Sequence, residues 1–192
     1  MIGRTIIAID PGSEGAVAWQ IGQVVSVIDL PTVTTELSKR RADGSRKQRK
    51  TVDPEALARL LLRISEWAPT TIIVEALPAV MSAMSGFSAL LQGANYGRVE
   101  GVVGAFCTDP HRRRQWLAID ARTWRKHHAL ESGEYADRKA ASIARAVDLF
   151  PELADSIIVP PTGRQRVARR MDGRADALLM LAYLRAQVER EG

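Results

Sequence analysis

The chain has 192 residues, of which 46% are hydrophobic and 26% charged, values that favour one globular domain over a disordered segment. Its net charge of +5 favours a polyanionic partner such as nucleic acid or an anionic membrane surface. The single cysteine, Cys107, excludes an intrachain disulfide and a multi-cysteine zinc site. No apolar run is long enough to span a bilayer and no signal-peptide pattern begins the sequence, so we expect a cytoplasmic protein.

The first predicted element is a buried strand that ends in an acid. Residues 6–9 are small or β-branched and apolar, and they deliver Asp10 to a tight turn that contains Pro11 and Gly12. A half-buried carboxylate is costly unless a cation or strong donors meet it, so Asp10 is a candidate metal ligand. The alternative is that Asp10 accepts N–H hydrogen bonds from its own turn.

Two strand-like segments follow, at residues 16–20 and 23–30, and a hairpin signal joins them. The next segment has seven basic residues, one acid and no apolar periodicity, which predicts a solvated, mobile basic loop at about residues 38–52. This loop either contacts nucleic-acid phosphates or only keeps the protein in solution. Its basic residues are Lys39, Arg40, Arg41, Arg46, Lys47, Arg49 and Lys50.

A second buried strand also ends in an acid. After a helix that begins at Asp53 and Pro54, residues 71–75 form an apolar run that finishes in Glu75. Neighbouring strands that end in acids hold them at the carboxyl edge of a sheet, where α/β folds place their ligands. The two carboxylates repel, so a divalent cation is expected between them; alternatively, Glu75 caps a helix or pairs with an arginine.

The next predicted helix, from about Ser88, has Gly93, Gly97 and Gly101 at four-residue spacing. Glycine weakens a helix, so this stripe indicates close approach by another element, either the sheet or a second subunit. Phe87, just before this helix, either stacks on a nucleic-acid base or packs within the protein.

Residues 115–119 predict a fifth strand, and residues 121–128 and a segment from about Asp137 predict further helices. The last predicted helix begins near Asp172, so that Asp172 and Asp176 share one face. Their repulsion is partly offset by the helix dipole, and a cation would remove the rest. The alternative is that Asp172 is a plain N-cap and Asp176 a solvated acid. The same stretch supplies a basic rim of Arg164, Arg166, Arg169, Arg170 and Arg174.

Asp10, Glu75, Asp172 and Asp176 form the candidate catalytic and metal-ligating set. Such hard oxygen donors suit Mg²⁺ or Mn²⁺, and two ions about 3.5 to 4 Å apart suit phosphodiester cleavage. Four blocks that contain these acids and the glycine helix resemble the RuvC-type Holliday junction resolvases of the RNase H-like superfamily. They are IIAIDPG at 6–12, TIIVEA at 71–76, QGANYGRVEGVVGA at 92–105 and DGRADALLM at 172–180, and residues 136–151 further resemble the resolvase-like proteins of phages.

The resemblance implies a single α/β domain over residues 1–192, with an RNase H-like five-stranded mixed sheet whose first three strands are antiparallel, flanked by helices. It implies a homodimer that meets through the helix of Gly93, Gly97 and Gly101 and nicks opposite strands of a four-way DNA junction. The sequence departs from the family in the spacing of Asp172 and Asp176, which are four residues apart instead of three.

Two other classes of function remain open, and a third is excluded by the length of the chain. The chain could be another RNase H-like nuclease that acts on RNA–DNA hybrids or flaps, or a junction-binding protein with a degenerate site. Residues 10–15 also resemble the phosphate loop of actin-like ATPases and sugar kinases, but 192 residues cannot supply the two large lobes of those proteins.

Overall fold

The computed structural model describes residues 4–40, 44, 46–65, 69–77, 86–109, 111–131, 134–160 and 169–191. The strands are β1 (Thr5–Ile9), β2 (Ala16–Ile21), β3 (Val24–Asp29), β4 (Thr32–Arg40), β5 (Arg46–Val52), β6 (Thr70–Glu75), β7 (Arg114–Ile119), β8 (Ile158–Val159) and β9 (Arg169–Arg170). The helices are α1 (Pro54–Ile64), α2 (Gly86–Cys107), α3 (Ala121–His127), α4 (Tyr135–Leu149), α5 (Ala154–Ile157) and α6 (Asp172–Glu191), with a 3₁₀ turn at Pro151–Leu153.

The main sheet has five strands in the order β3-β2-β1-β6-β7. Strand β2 runs antiparallel to both β1 and β3, whereas β6 is parallel to β1 and β7 is parallel to β6. This confirms the predicted five-stranded mixed sheet with three antiparallel strands first, the arrangement expected of an RNase H-like α/β fold.

Helices cover both faces of this sheet, which explains why residues 6–9 of β1 are all apolar. Ile6 and Ala8 point into a core built with α4 and α6, and Ile7 and Ile9 point into a second core built with α1 and α2. Because successive side chains of a strand point to opposite faces, a strand between two layers must be apolar without alternation. In the described part of the chain, no helix combines the length and apolarity that a membrane crossing requires.

Helix α1 begins as the sequence predicts. The Asp53 side chain accepts a hydrogen bond from the N–H of Ala56 at 3.0 Å, and Pro54 occupies the first helical turn. Its buried leucines, Leu57, Leu60 and Leu61, form the apolar face that packs beneath the sheet. This helix is scaffold.

The prediction of a loop at residues 38–52 is wrong for the described part of this segment, which forms strands. Strands β4 and β5 form a two-stranded antiparallel ribbon with a register shift between Glu36 and Arg40. The backbones of the two strands satisfy each other's hydrogen bonds, and among the described side chains of the ribbon only those at its base, Thr51 and Val52, are buried. There the N–H of Val52 donates to Asn95 Oδ1 on α2 at 3.1 Å. The mobility of the segment stays a prediction.

The glycine stripe of α2 faces no element of the described chain. A Cβ atom added at Gly93, Gly97 or Gly101 would meet no heavy atom of the described residues within 4 Å. Of the two approaches that the sequence analysis left open, packing against this chain's own sheet is therefore not observed.

Candidate active site

Asp10 and Glu75 emerge side by side at the carboxyl edge of the sheet. Ile9 of β1 lies opposite Val74 of β6 in the parallel register, so that the next residue of each strand is an acid. The pairing of these two strands confirms the predicted placement of both acids at one edge. Their catalytic role stays a prediction.

The turn after β1 is held by Asp10 itself. One side-chain oxygen of Asp10 accepts a hydrogen bond from the N–H of Gly12 at 3.0 Å, which is the turn-acceptor role named as the alternative. A Cβ at Gly15 would lie 2.1 Å from the carbonyl oxygen of Asp10, so only glycine fits this turn. The turn contact fixes the orientation of the carboxylate and is compatible with a ligand role.

Helix α6 brings the second acidic pair to Asp10 because its first turn rests on the β1–β2 turn. A Cβ at Gly173 would lie 2.0 Å from the carbonyl oxygen of Glu14 and 3.0 Å from the Cα of Gly15. Glycine at position 173 therefore permits a backbone contact that any other residue would prevent. Asp172 and Asp176, on either side of this contact, are carried to the same edge as Asp10.

These residues line a cleft of about 410 Å³. Three of its acids are Asp10, Asp172 and Asp176, and its cations are Arg125, Arg138 and Lys139. Glu75 is not among the lining residues, but its carboxylate interacts electrostatically with those of Asp10 and Asp176. The cleft thus combines a cluster of oxygen donors with basic groups from α3 and α4.

Burial and neighbouring carboxylates raise the pKa values of three of these acids. Burial, followed by the charge of Asp10, raises the pKa of Glu75 to about 7. The same two causes raise the pKa of Asp176 to about 7. Burial raises the pKa of Asp10 as well, and the charge of Asp172 adds to that rise. Glu75, Asp176 and Asp10 are therefore each harder to ionise beside a neighbouring carboxylate.

Protein donors from α3 and α4 meet these acids. The indole N–H of Trp124 donates to Glu75 Oε2 at 3.0 Å, and among the described residues no ion pair joins Glu75 to an arginine. Lys139 donates to Asp172, which is itself the first residue of α6. Arg125 Nη2 lies 3.9 Å from Asp176 Oδ2.

Asp176 is not the solvated acid of the alternative interpretation. Its side chain is only 22% exposed, and the Ser142 side chain of α4 is close enough to act against the rise of its pKa. Its Oδ1 atom is buried and has no hydrogen-bond partner in the part of the chain that the structure describes. A buried carboxylate oxygen without a donor is costly, and a cation is one way to satisfy it.

The residues that surround the acids were not predicted from the sequence. Trp124 is 49 positions from Glu75, and Lys139 is 33 positions from Asp172. Periodicity within one element carries no information about such pairs. The only available signal was the basic character of residues 121–128 and 138–139.

The donor set fits a divalent ion in chemistry, although the side chains do not close a coordination shell. Among the described residues, no three His, Cys, Asp or Glu side chains are grouped so that they could hold one ion together. The fit rests on hard oxygen donors, on their mutual repulsion and on the unpartnered Oδ1 of Asp176.

The predicted DNA-binding residues occupy different surroundings. Arg46 pairs with Glu36 at 3.2 Å and Lys50 pairs with Glu14 at 2.9 Å, both on the surface. The side chain of Arg174 is committed within the chain, to Asp29 Oδ1 at 2.6 Å and to the carbonyl of Ser156 at 2.9 Å. Arg49 lies in the ribbon, with a buried Nε that has no described partner.

The remaining members of the predicted DNA-binding set lie wholly or partly outside what the structure describes. The backbone, but not the side chain, is described for Lys39, Arg40, Lys47, Phe87, Arg169 and Arg170. Arg41, Arg164 and Arg166 lie outside the described residues.

No family model and no curated protein matches the sequence. Among solved structures, T. thermophilus RuvC in complex with Holliday junction substrate is similar, with 13% identity over 98% of this chain and 96% of that chain and a TM-score of 0.49. A second structure of Thermus thermophilus RuvC has 12% identity over 95% of this chain and 96% of that chain, with a TM-score of 0.45. The fold described above rests on the strand order and directions of this chain itself.

Proposed function

We propose that the chain is a metal-dependent, structure-selective endonuclease that resolves four-way DNA junctions by paired nicks, leaving 5′-phosphate and 3′-hydroxyl ends. The observation that carries this proposal is the convergence of Asp10, Glu75, Asp172 and Asp176 at one sheet edge under a rim of arginine and lysine. Carboxylates alone would repel a phosphodiester, so the set suits hydrolysis only with divalent ions between acids and substrate.

Asp10, Glu75, Asp172 and Asp176 would together hold two Mg²⁺ or Mn²⁺ ions. When bound, the ions supply activation of the attacking water and stabilisation of the leaving 3′-oxygen. The charge of Asp10 acts on both Glu75 and Asp176, and that of Asp172 acts on Asp10, so Asp10 would hold the ions together with these three acids.

The other cleft residues orient the acids and meet the substrate. The Trp124 indole fixes the rotation of the Glu75 carboxyl group through its hydrogen bond. Lys139 and Arg125 stand next to Asp172 and Asp176, where they can turn to the phosphate oxygens once the acids are satisfied. Arg138 lines the same cleft and adds a further phosphate donor.

Two supporting features concern the partner molecules. The basic ribbon of β4 and β5 adjoins the cleft, because Lys50 pairs with Glu14, a cleft residue. This location suits Arg46, Arg49 and Lys50 for contacts to DNA phosphates. We propose the same role for Lys39, Arg40, Arg41 and Lys47 from their charge and their place in the sequence. The open glycine stripe of α2 suits a homodimer interface, which paired nicking of a two-fold junction would require.

The central test is Asp10→Asn assayed on a synthetic four-way junction with Mg²⁺ or Mn²⁺. We expect the nicking rate to fall by at least about 100-fold. Loss of a group that only orients a metal ligand can already cost about 100-fold in activity, and loss of the ligand itself should cost no less. Junction binding should persist, since phosphate contacts belong to arginine and lysine. Asp155→Asn, an exposed acid on α5, serves as the matched control and should nick like the unaltered chain.

Substrate choice is tested by comparing the junction with linear duplex and RNA–DNA hybrid at equal salt. Preferential paired nicking of the junction is the expected result. Equal or faster cleavage of the hybrid would contradict junction resolution, and nicking by Asp10→Asn at the unaltered rate would contradict the assignment of the site.

A further inference from the structure

Opposite the carboxylates, at the amino edge of the same sheet, lies a second cleft of about 540 Å³. It forms where the parallel strands β1, β6 and β7 begin, since Thr5 lies opposite Thr70 and Thr70 lies opposite Arg114. Backbone hydrogen bonds from Thr5 to Pro69 and from Thr70 to Arg113, both 2.9 Å, hold the three strand starts together. The cleft is thus built on the rigid sheet.

The charge of this cleft is strongly one-sided. It is lined by Arg4, Arg112, Arg113 and Arg114 and, among the described lining residues, by a single carboxylate, Asp109. Four arginines and one aspartate leave a net charge of about +3. Asp109 is already engaged, because Arg112 Nε lies 3.4 Å from its Oδ2. The repulsion within the cluster calls for an anion from outside.

Arg114 forms the floor of the cluster. Its guanidinium lies 3.7 Å from the centre of the Phe106 ring and donates to the carbonyl of Phe106 at 3.3 Å and to Ser65 Oγ at 3.4 Å. Its Nε is buried without a partner in the described residues. Burial and then the neighbouring charge of Arg112 lower its pKa, which shows that the cluster bears an electrostatic cost.

Arg4, Arg112 and Arg113 are the accessible members. All three are exposed; Arg112 lies against Asp109, and Arg4 is oriented by a hydrogen bond from its Nε to Thr71 Oγ1 at 3.1 Å. That bond leaves the terminal nitrogens of Arg4 for a ligand. Guanidinium groups donate paired hydrogen bonds that match the oxygens of a phosphate.

The distance between the two edges decides what kind of anion binds. Strand β6 has 6 residues, so at about 3.3 Å per residue the arginines lie roughly 17 Å from Glu75. A phosphate at the carboxylates therefore cannot also occupy the arginine cleft. A branched nucleic acid presents several backbone segments at once, whereas a small anion would engage only one edge.

We propose that the cleft of Arg4, Arg112, Arg113 and Arg114 binds backbone phosphates of a second nucleic-acid segment, separate from the segment at the carboxylates. This proposal rests on the proposed function for the identity of the polyanion. It assigns the amino edge of the sheet to holding an arm of the substrate while the carboxyl edge acts on another.

The test measures how junction affinity depends on salt. All proteins carry Asp10→Asn and are assayed with a chelator, so no cleavage occurs and the measurement does not depend on nicking. The altered protein is Arg4→Gln/Arg113→Gln. A matched control, Arg63→Gln/Arg190→Gln, removes the same charge from exposed sites on α1 and α6. A second control, Arg4→Lys/Arg113→Lys, keeps the charge.

Log affinity falls as log salt rises, and each lost phosphate contact makes this slope shallower by about 0.9. We therefore expect the slope for Arg4→Gln/Arg113→Gln to be shallower by about 2 than that of the unaltered residues, with no comparable change in Arg63→Gln/Arg190→Gln. The lysine pair should keep the slope, although its affinity can fall because lysine cannot donate in pairs.

Equal slopes for the glutamine pair and its matched control would overturn the proposal. A shallower slope for Arg4→Lys/Arg113→Lys would also overturn it. That variant keeps both charges, so the change would come from an altered structure of the cleft and not from lost charge. Loss of poly-glutamate binding in the glutamine pair with an unchanged DNA slope would also overturn it, in favour of an acidic polypeptide. The proposed function fails separately, if the unaltered chain does not nick a junction with Mg²⁺ or Mn²⁺.

Discussion

Glu75 and Asp176 are held by the fold in surroundings that favour their protonated forms. Burial and the charge of Asp10 raise both pKa values to about 7, from ordinary values of 4.5 for Glu75 and 3.8 for Asp176. The folded chain without ions therefore keeps protons that the unfolded chain releases between about pH 4 and pH 7. This difference makes the stability of the ion-free protein depend on pH in a definite direction.

We expect the free energy of unfolding, measured by urea denaturation with a chelator, to fall as pH rises from 5 to 8. Below the ordinary pKa both states are protonated and no penalty exists; above about 7 the folded state holds unfavourable charges. Glu75→Gln removes one such group and should be more stable than the unaltered chain at pH 8 by about 2 kcal/mol. At pH 5 the advantage should be much smaller.

Glu189→Gln is the matched control, because Glu189 is an exposed acid near the end of α6. Its stability should follow that of the unaltered chain at both pH values. A Glu75→Gln protein whose stability falls with pH as steeply as that of the unaltered chain would contradict the assignment of the penalty to Glu75. Added Mg²⁺ should stabilise the unaltered chain at pH 8 more than Glu75→Gln, since bound ligand favours the folded state.

At the scale of elements, the position of α6 decides whether the acids meet. Its N-terminus can rest on the β1–β2 turn because Gly173 has no Cβ. A Cβ atom at this position would lie only 2.0 Å from the carbonyl oxygen of Glu14 and would clash with it. Helix propensity alone would favour alanine over glycine here by up to about 1 kcal/mol. The backbone contact therefore outweighs propensity at this position.

Gly173→Ala should lower both the melting temperature and the nicking rate. The new methyl group must displace α6 or the turn, moving Asp172 and Asp176 away from Asp10, and a misplacement of about 1 Å can cost about 100-fold in rate. Gly86→Ala, at the first residue of α2, is the control, since its Cβ would meet nothing described within 4 Å. That change should leave nicking intact and slightly raise helix stability. A Gly173→Ala protein with normal stability and activity would refute the close contact.

At the scale of the whole molecule, the sheet has an acidic edge, a basic edge and an unpartnered glycine face on α2. If that face joins two copies, bulk placed on it should separate them. We expect Gly97→Leu/Gly101→Leu to shift sedimentation from dimer to monomer, because leucine side chains would hold the two backbones apart. Ala144→Leu, on the exposed side of α4, adds an exposed leucine away from this face and should remain dimeric.

An unchanged mass for Gly97→Leu/Gly101→Leu would exclude this face as the interface. Monomeric protein that still nicks a single strand of the junction would agree with the proposal, because each copy contains its own acids. Paired nicking should then decline more than single nicking.

The sequence predicted the sheet and its acidic edge because both follow from local patterns. Residues 6–9 and 71–74 are apolar runs too short for helices, and each is followed at once by an acid. The basic ribbon was missed for the opposite reason. Its strands have no apolar alternation, and their stability comes from pairing with each other, which composition does not reveal.

What the sequence determined by itself is which residues follow buried strands and begin a helix: Asp10, Glu75 and Asp172. Only the tertiary structure decided that Trp124 orients Glu75, that Lys139 meets Asp172 and that Gly173 rests on Glu14. The physical reason is the distance along the chain over which each constraint acts. A strand or helix imposes its period on neighbours along the chain, whereas the surroundings of the acids come from segments that meet only after the layers pack.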